Sequence, residues 1–396
     1  MFVLSRPQLL KDLYTAYYAA RRKKRNKPYQ LRFEQNLHHN INNLCDQLWH
    51  RTYTAKPSTC FVIEDPKKRE IFAADFRDRI VHHLYYNYVH QLFERTFIHD
   101  SYSCIKHRGT HYGIERLERH ILKESQNYTQ PCYVLKIDIR GYFMHISRQR
   151  LLTIAVDTIK KMSHHTISKY ATTRWCDVVD IDFILWMTEK IVLLNPIEDC
   201  HVVGRKSDWD NLPKGKSLFY SSANCGLPIG NLTSQLFSNV YMNVFDQYVK
   251  RVLRCKHYGR YVDDAYLVSG NKEWLRNQIP LIREFLDRRL GLQLHEGKLV
   301  ISDVRQGVLF LGAYLKPWRQ YVSNATLERM QRKVPRLALC TSPGRALSVV
   351  NSYLGMLSHY KSRHIQETTF LHINRLWQYG RFVRCKRGIK YKLLIR

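Results

Sequence analysis

With 396 residues, 44% of them hydrophobic, the chain can bury a sizeable core and more than one subdomain, which excludes a disordered polypeptide. Its 64 Lys+Arg against 33 Asp+Glu give a formal net charge of +31, and with 26 Tyr and 7 Trp they point to a polyanionic, base-bearing partner. An acidic membrane surface or a ribosome-like assembly would also attract a basic chain, but no long apolar span supports the membrane option, since the richest stretch, from Ile181 to Leu194, carries Asp182, Glu189 and Lys190, and nucleic acid is the preferred partner.

The apolar start Met1-Phe2-Val3-Leu4 is too short for a signal peptide. Residues 8–50 read as helical, with Leu9, Leu10, Leu13, Tyr14, Tyr17 and Tyr18 on one face. The run Arg21-Arg22-Lys23-Lys24-Arg25 resembles a nuclear signal; a basic helix edge touching nucleic acid is the preferred reading. A second helical stretch carries the stripe Leu37, Ile41, Leu44, Cys45 and Leu48. The period then changes. Cys60–Ile63 and Ile71–Ala74 read as strands joined by the charged turn 65–70, and Asp78 to Phe93 returns to helix. Such a turn is either a solvated hairpin tip or a grip on a triphosphate.

From Cys132 to Ile139 an apolar strand ends in an acid, Asp138, followed by Gly141-Tyr142-Phe143. That acid suits either a metal ligand or a helix N-cap. Helical patterns at 151–159 and 181–194 precede a polar loop, 199–222, whose role the residues do not assign. The turn 226–231 has glycines that allow close backbone approach, and a helix follows with Leu236, Phe237, Val240, Tyr241, Val244, Phe245 and Tyr248 on one face. Ser234 and Gln235 lie in its first turn, where backbone N–H groups can face a nucleotide. Tyr261-Val262-Asp263-Asp264 forms a hairpin tip with Gly259 and Gly270 at its ends, and an amphipathic helix over 279–290 follows. Strands near 308–312 lead to a boundary at Pro317 and Asn324. The basic remainder, 325–396, reads as helical, with Leu354, Leu357, Tyr360 and Trp377 as packing residues. The order is that of an α+β protein with an antiparallel centre. Ten cysteines without a Cys-x-x-Cys pair indicate reduced thiols, and the His-His pairs at 38, 82 and 164 lack ligand spacing.

Adjacent carboxylates beside apolar strand residues repel each other unless a cation neutralises them. If the strands of Asp138 and of Asp263-Asp264 are neighbours, three carboxylates converge and suit two-metal phosphoryl transfer, by a nuclease or a polymerase alike.

The strings Leu-Lys-Ile-Asp-Ile-Arg-Gly-Tyr-Phe at 135–143, Gly-Leu-Pro-Ile-Gly-Asn-Leu-Thr-Ser-Gln at 226–235 and Tyr-Val-Asp-Asp at 261–264 occur in the order found in reverse transcriptases. The turn 65–70 with Phe76-Arg77-Asp78-Arg79 resembles the fingers motif of bacterial members, and Gly297-Lys298 and Phe310-Leu311-Gly312 resemble later palm motifs. The resemblance covers roughly residues 60–320. It implies a right-hand polymerase with fingers, palm and thumb, an antiparallel palm sheet and a helical thumb. The division expected is a basic helical extension at 1–60, fingers and palm at 61–322 with an insertion at about 155–222, and a thumb at 323–396.

By the same resemblance, Asp138, Asp263 and Asp264, with the backbone carbonyl of Ile139, hold two Mg2+ ions, which Mn2+ replaces in vitro. Lys67, Lys68 and Arg69 hold the triphosphate. Phe143 is the steric gate against a ribose 2'-hydroxyl, Gln235 contacts the nucleotide, and Lys298 protonates the pyrophosphate leaving group. Ile229 stands where many reverse transcriptases carry Gln, and Ile-Gly-Asn-Leu-Thr-Ser-Gln resembles the enzymes of diversity-generating retroelements. These copy a template RNA with frequent errors opposite adenine. The partners implied are template RNA, a cDNA or DNA primer, dNTPs and a small basic accessory variability protein, in a bacterial or phage-encoded cytoplasmic enzyme. An antiviral reverse transcriptase and a catalytically idle, maturase-like RNA-binding scaffold are the competing readings. No Cys/His-rich tail or second acidic cluster follows residue 320, which argues against a fused endonuclease or RNase H domain.

Overall fold

A computed structural model describes residues 5–394 apart from 23, 66, 168–170 and 387. Residues 1–4, Lys23 of the basic run and Pro66 of the charged turn therefore lie outside the described residues. In chain order the strands are β1 (Ser58–Ile63), β2 (Arg69–Ala73), β3 (Tyr133–Ile137), β4 (Cys200–Val202), β5 (His257–Tyr261), β6 (Asp264–Ser269), β7 (Val300–Asp303), β8 (Val308–Phe310), β9 (Ala313–Lys316), β10 (Arg319–Val322), β11 (Gly380–Cys385) and β12 (Gly388–Leu393). The chain forms two compact units, one of Met1–Lys106, Ile137–Lys256 and Asn277–Leu299, the other of His107–Lys136, His257–Arg276 and Val300–Arg396.

In the first unit the expected long N-terminal helix is broken into Arg6–Arg21, Pro28–Gln35 and Leu37–Trp49. Pro28 opens the second piece, where its missing N–H is no loss. Leu9, Leu13, Ile41, Leu44, Cys45 and Leu48 are buried as their spacing predicts, whereas Tyr18 is exposed. The helix Phe76–Glu94 begins at Asp75, whose side chain accepts from the Arg77 N–H, a cap of ordinary type. The helix Leu232–Gln247 buries Leu236, Phe237, Val240, Tyr241 and Phe245. Between these lies a three-stranded sheet in the order β2-β1-β4, with β1 antiparallel to β2 and parallel to β4.

Strand β4 and three short 3-10 turns make up most of the 199–222 loop. Glu70 on β2, 1% exposed, is its anchor. The Glu70 carboxylate accepts from Trp209 Nε1 at 3.0 Å, Ser217 Oγ at 2.8 Å and the Leu218 N–H at 2.6 Å. A buried carboxylate with three donors is well compensated, so the loop is an ordered part of this unit.

The second unit holds a four-stranded sheet in the order β5-β6-β3-β7, of which only Ile137 at the end of β3 is counted with the first unit. The pairs β5–β6 and β3–β7 are antiparallel. The helix Thr110–Glu124 covers the β5–β6 hairpin: His120 Nδ1 lies 3.0 Å from Tyr266 Oη, and Glu124 Oε1 accepts from the Gly270 N–H at 2.9 Å. Gly259 is inside β5, opposite Tyr266, instead of marking the end of the hairpin. A second antiparallel sheet follows in the order β10-β9-β8.

Helices Asn324–Lys333, Pro343–Leu357, Arg363–Phe370 and Asn374–Tyr379 build a separate core around Met330, Val350, Leu354, Leu357, Phe370 and Leu376. The stretch expected to be helical to its end closes instead with the antiparallel hairpin β11–β12. Trp377, expected in this core, is 45% exposed, its Nε1 donating to the Leu371 carbonyl. All ten cysteines are unbridged, and burial, with Glu70 adding to it, pushes the Cys60 thiol up to about 12. Among the described residues no helix is long and apolar enough to cross a membrane.

Candidate active site

In the second unit the residues Val262 and Asp263 form the two-residue loop of the β5–β6 hairpin, closed by the pair Tyr261–Asp264. Val262 has φ +59°, a left-handed conformation that a β-branched residue adopts only under strain. Arg260, fully buried in β5, supports the strained turn by donating to the Val262 carbonyl at 2.8 Å. Asp264 opens β6, its side chain 22% exposed, with Lys136 Nζ of β3 at 3.8 Å. Sequence reasoning found both carboxylates but neither Lys136 nor Arg260. An arginine between Gly259 and Tyr261 in an apolar strand was the available signal.

In the first unit Asp138 leads out of β3. His295 donates its backbone N–H to the Asp138 carbonyl at 2.8 Å, and Arg140 donates to the Gln293 carbonyl at 2.9 Å. Between them Ile139 and Leu294 form an antiparallel bridge of the non-hydrogen-bonded kind, so the Ile139 carbonyl points away from residues 293–295. Lys298 Nζ donates to Asp138 Oδ2 at 2.9 Å. Gly141 has φ +53°, and a side chain there would meet the Gly215 carbonyl oxygen at 2.7 Å. Only glycine lets loop 199–222 approach the chain just after Asp138.

Two residues expected to meet the nucleotide, Phe143 and Ile229, share one small core. Both pack on the cluster of Cys60, Phe72, Met144 and Leu218, which Trp209 of the anchored loop also covers. Backbone bonds lock the parts together: Phe72 N–H to the Ile229 carbonyl at 2.9 Å, and Leu227 N–H to the Phe143 carbonyl at 2.8 Å. Gly230, φ +125°, has no room for a Cβ, which would lie 2.9 Å from Ile71 Cγ2. Asn231 caps no helix N–H and instead accepts from the Ala74 N–H at 3.2 Å, tying the helix start to the end of β2. Gln235 is exposed in the first helical turn, its Oε1 accepting from Cys104 Sγ at 3.4 Å. On the 65–70 turn Lys67 and Arg69 are exposed, while Lys68 Nζ is engaged by the Asp210 carbonyl at 2.5 Å.

Carboxylate and carbonyl oxygens are the donors that a hard divalent cation takes. Lysines lie against Asp138 and Asp264, so both carboxylates already attract positive charge. Among the described residues no three His, Cys, Asp or Glu side chains stand close enough together to form a metal site.

Residues 56–315 match the family model for reverse transcriptase (RNA-dependent DNA polymerase). The chain belongs to the reverse transcriptase family. Its α+β architecture with antiparallel strand pairs is accordingly that of a right-hand polymerase. It is 25% identical over 282 residues to Protein YkfC of Escherichia coli (strain K12), covering 62% of this chain and 62% of that protein. Similar solved structures include the apo telomerase of Candida tropicalis (TM-score 0.48, 12% identity, 80% of this chain and 60% of that one). Another is the telomerase of Candida albicans in complex with a fragment of telomeric RNA (TM-score 0.45, 12% identity, 83% and 60%). The chain thus spans less than two thirds of the length of each of these proteins.

For a reverse transcriptase of this geometry, Val262→Gly separates stability from activity. Glycine removes a steric cost of roughly 1–2 kcal/mol at the turn and returns part of it as unfolded-state entropy. The expected result is an unfolding free energy raised by about 0.5–1 kcal/mol, read as a higher denaturation midpoint, with nucleotide incorporation lowered severalfold because the carboxylates are less fixed. A lowered midpoint would show that the turn is not strained.

Proposed function

We propose that this chain is an RNA-directed DNA polymerase that copies a template RNA into cDNA by two-metal nucleotidyl transfer. The observation that carries this reading is the shared core under Phe143 and Ile229, bonded to the β2 strand beside Arg69. A hydrolytic nuclease needs carboxylates but no such nucleotide pocket. Fingers and palm would occupy 61–322, including the insertion at about 155–222, the thumb 323–396, and residues 1–60 a basic extension.

Asp138, Asp263 and Asp264, with the Ile139 carbonyl, would hold two Mg2+ ions. The reading that these carboxylates converge is supported along the chain: Asp138 follows Lys136 by two residues, and Lys136 lies against Asp264. When bound, the ions supply an activated primer 3'-hydroxyl and neutralise charge on the leaving pyrophosphate. The exposed Lys67 and Arg69 hold the triphosphate, with Lys68 joining them if it leaves the Asp210 carbonyl. Phe143 excludes a ribose 2'-hydroxyl, and Gln235 orients the nucleotide. Lys298, whose ammonium donates to Asp138, would give a proton to pyrophosphate.

The finer reading is error-prone copying at adenines for mutagenic retrohoming in a diversity-generating retroelement, beside a small basic accessory protein. Its support is Ile229, whose side chain packs on the same core as Phe143 and offers no amide to a nascent base pair. Primer extension on RNA with Mg2+, followed by cDNA sequencing, tests both levels. Errors should concentrate opposite adenine, and Ile229→Gln should lower them about tenfold, the value of one hydrogen bond realised in discrimination. Equal error rates opposite all four bases, with the accessory protein present, would sink the mutagenic reading while leaving the polymerase.

A further inference from the structure

The hairpin β11–β12 lies beyond the residues that match the reverse transcriptase family. Its inner face is fixed to the helices around it. Phe382 and Tyr391 pack with ring centroids 4.9 Å apart, and Phe382 lies 5.2 Å from Trp377. The Asn351 amide bonds Tyr391 twice, accepting from its N–H at 3.0 Å and donating to its carbonyl at 2.8 Å. The Gln366 side chain, itself fully buried, accepts from the Ile389 N–H at 3.0 Å. These amides occupy the free edge of β12, as a neighbouring strand would, so the edge is closed to strand pairing.

The outer face carries the opposite chemistry. Arg381 stands directly across from Lys392, and Lys390 across from Val383, one rung further along. Arg381, Lys390 and Lys392 are all exposed. Like charges directly opposite on a sheet destabilise it. No acid relieves them in the local sequence: residues 368–396 contain eight Lys or Arg and no Asp or Glu. Three cations on a rigid ribbon are pre-ordered for an anionic partner, so little side-chain and backbone freedom is lost on binding. The face lacks the aromatic and aliphatic row that would bury it in a bilayer.

We propose that this face is a second nucleic-acid-binding surface, in which Arg381, Lys390 and Lys392 neutralise backbone phosphates without regard to base or sugar. The proposal rests on the reading of the chain as a nucleic-acid polymerase, but its test does not require synthesis.

The full chain, without dNTP or Mg2+, is titrated with a fluorescein-labelled RNA–DNA hybrid over a range of potassium chloride concentrations. For Arg381→Gln/Lys390→Gln/Lys392→Gln the slope of log K against log salt should shrink by about 2–3, and the affinity at fixed salt should fall about tenfold. The charge-keeping variant Arg381→Lys/Lys390→Arg/Lys392→Arg should retain the wild-type slope. The neutral variant should melt, free of nucleic acid, at or above the wild-type temperature, because a repulsive pair has gone. An unchanged slope in the neutral variant overturns the proposal, as does an equal loss in the charge-keeping one. Loss of binding to phosphatidylserine vesicles with an intact hybrid slope overturns it in favour of a membrane. Failure of the polymerase reading would show separately, as absent primer extension by the wild type.

Discussion

Asp264→Asn should abolish primer extension on an RNA template while leaving the protein folded. The substitution keeps the volume and one oxygen of a side chain that is 22% exposed at the start of β6. Among the partners it deserts is Lys136, whose Nζ lies 3.8 Å away in a long, partly exposed ion pair that contributes little to stability. The chemical cost is of another order. A carboxylate that holds a divalent cation for phosphoryl transfer would supply several kcal/mol, so incorporation should fall by at least about a thousandfold, or roughly 4 kcal/mol in the barrier. Single-nucleotide incorporation at saturating dNTP, with circular dichroism as the check on folding, measures both. Asp138→Asn should match it, because Lys298 marks that carboxylate in the same way. Incorporation within a few-fold of wild type in either variant would exclude the carboxylates from the reaction and leave the idle scaffold as the better reading.

The parts of this site that could be read in the sequence are those written as short local strings. Asp138 at a strand end, Asp263-Asp264 at a hairpin tip and the turn before the helix at 232 each announce themselves within ten residues. Strands β6 and β3 are neighbours in the order β5-β6-β3-β7; Asp264 opens β6, Asp138 lies just past the end of β3, and Asp263 lies in the hairpin loop. Most of what escaped was decided by partners distant in sequence. Lys68 looked available, yet it meets a carbonyl 142 residues away. Loop 199–222 had no apolar period because a single buried glutamate, not a hydrophobic stripe, holds it. The closing hairpin was hidden among basic helices because Gly380–Cys385 alternates only weakly, and its free edge is held by Asn351 and Gln366 on other elements. Arg260 escaped for a different reason: its acceptor, the Val262 carbonyl, is only two residues away, and an arginine in an apolar strand was a signal, but the strained turn it supports is a matter of backbone conformation.

Glu70→Ala tests whether that distant anchoring reaches the nucleotide pocket. The variant leaves Trp209 Nε1, Ser217 Oγ and the buried Leu218 N–H without their shared acceptor. Losing the acceptor costs about 1–3 kcal/mol for each buried donor, less where water can enter, so a loss of roughly 3–5 kcal/mol is expected. Much of it should be spent locally, by loosening of residues 199–222, because their other holds are the short β1–β4 pairing, the Lys68 contact and the packing of Trp209, Leu218 and Phe219. Trypsin should then cut at Arg205, Lys206, Lys214 or Lys216, all exposed in the loop, at least tenfold faster than in the wild type. Leu218 and Trp209 would leave the cluster that supports Phe143 and Ile229, so the KM for dNTP should rise more than kcat falls. Glu70→Gln should be intermediate, since its amide NH2 must face a donor whichever way it turns. Accelerated cleavage with an unchanged KM would show that the loop is ordered by Glu70 yet contributes nothing to the pocket. Unchanged cleavage would mean that the three bonds to Glu70 are dispensable, and that the other holds keep the segment in place.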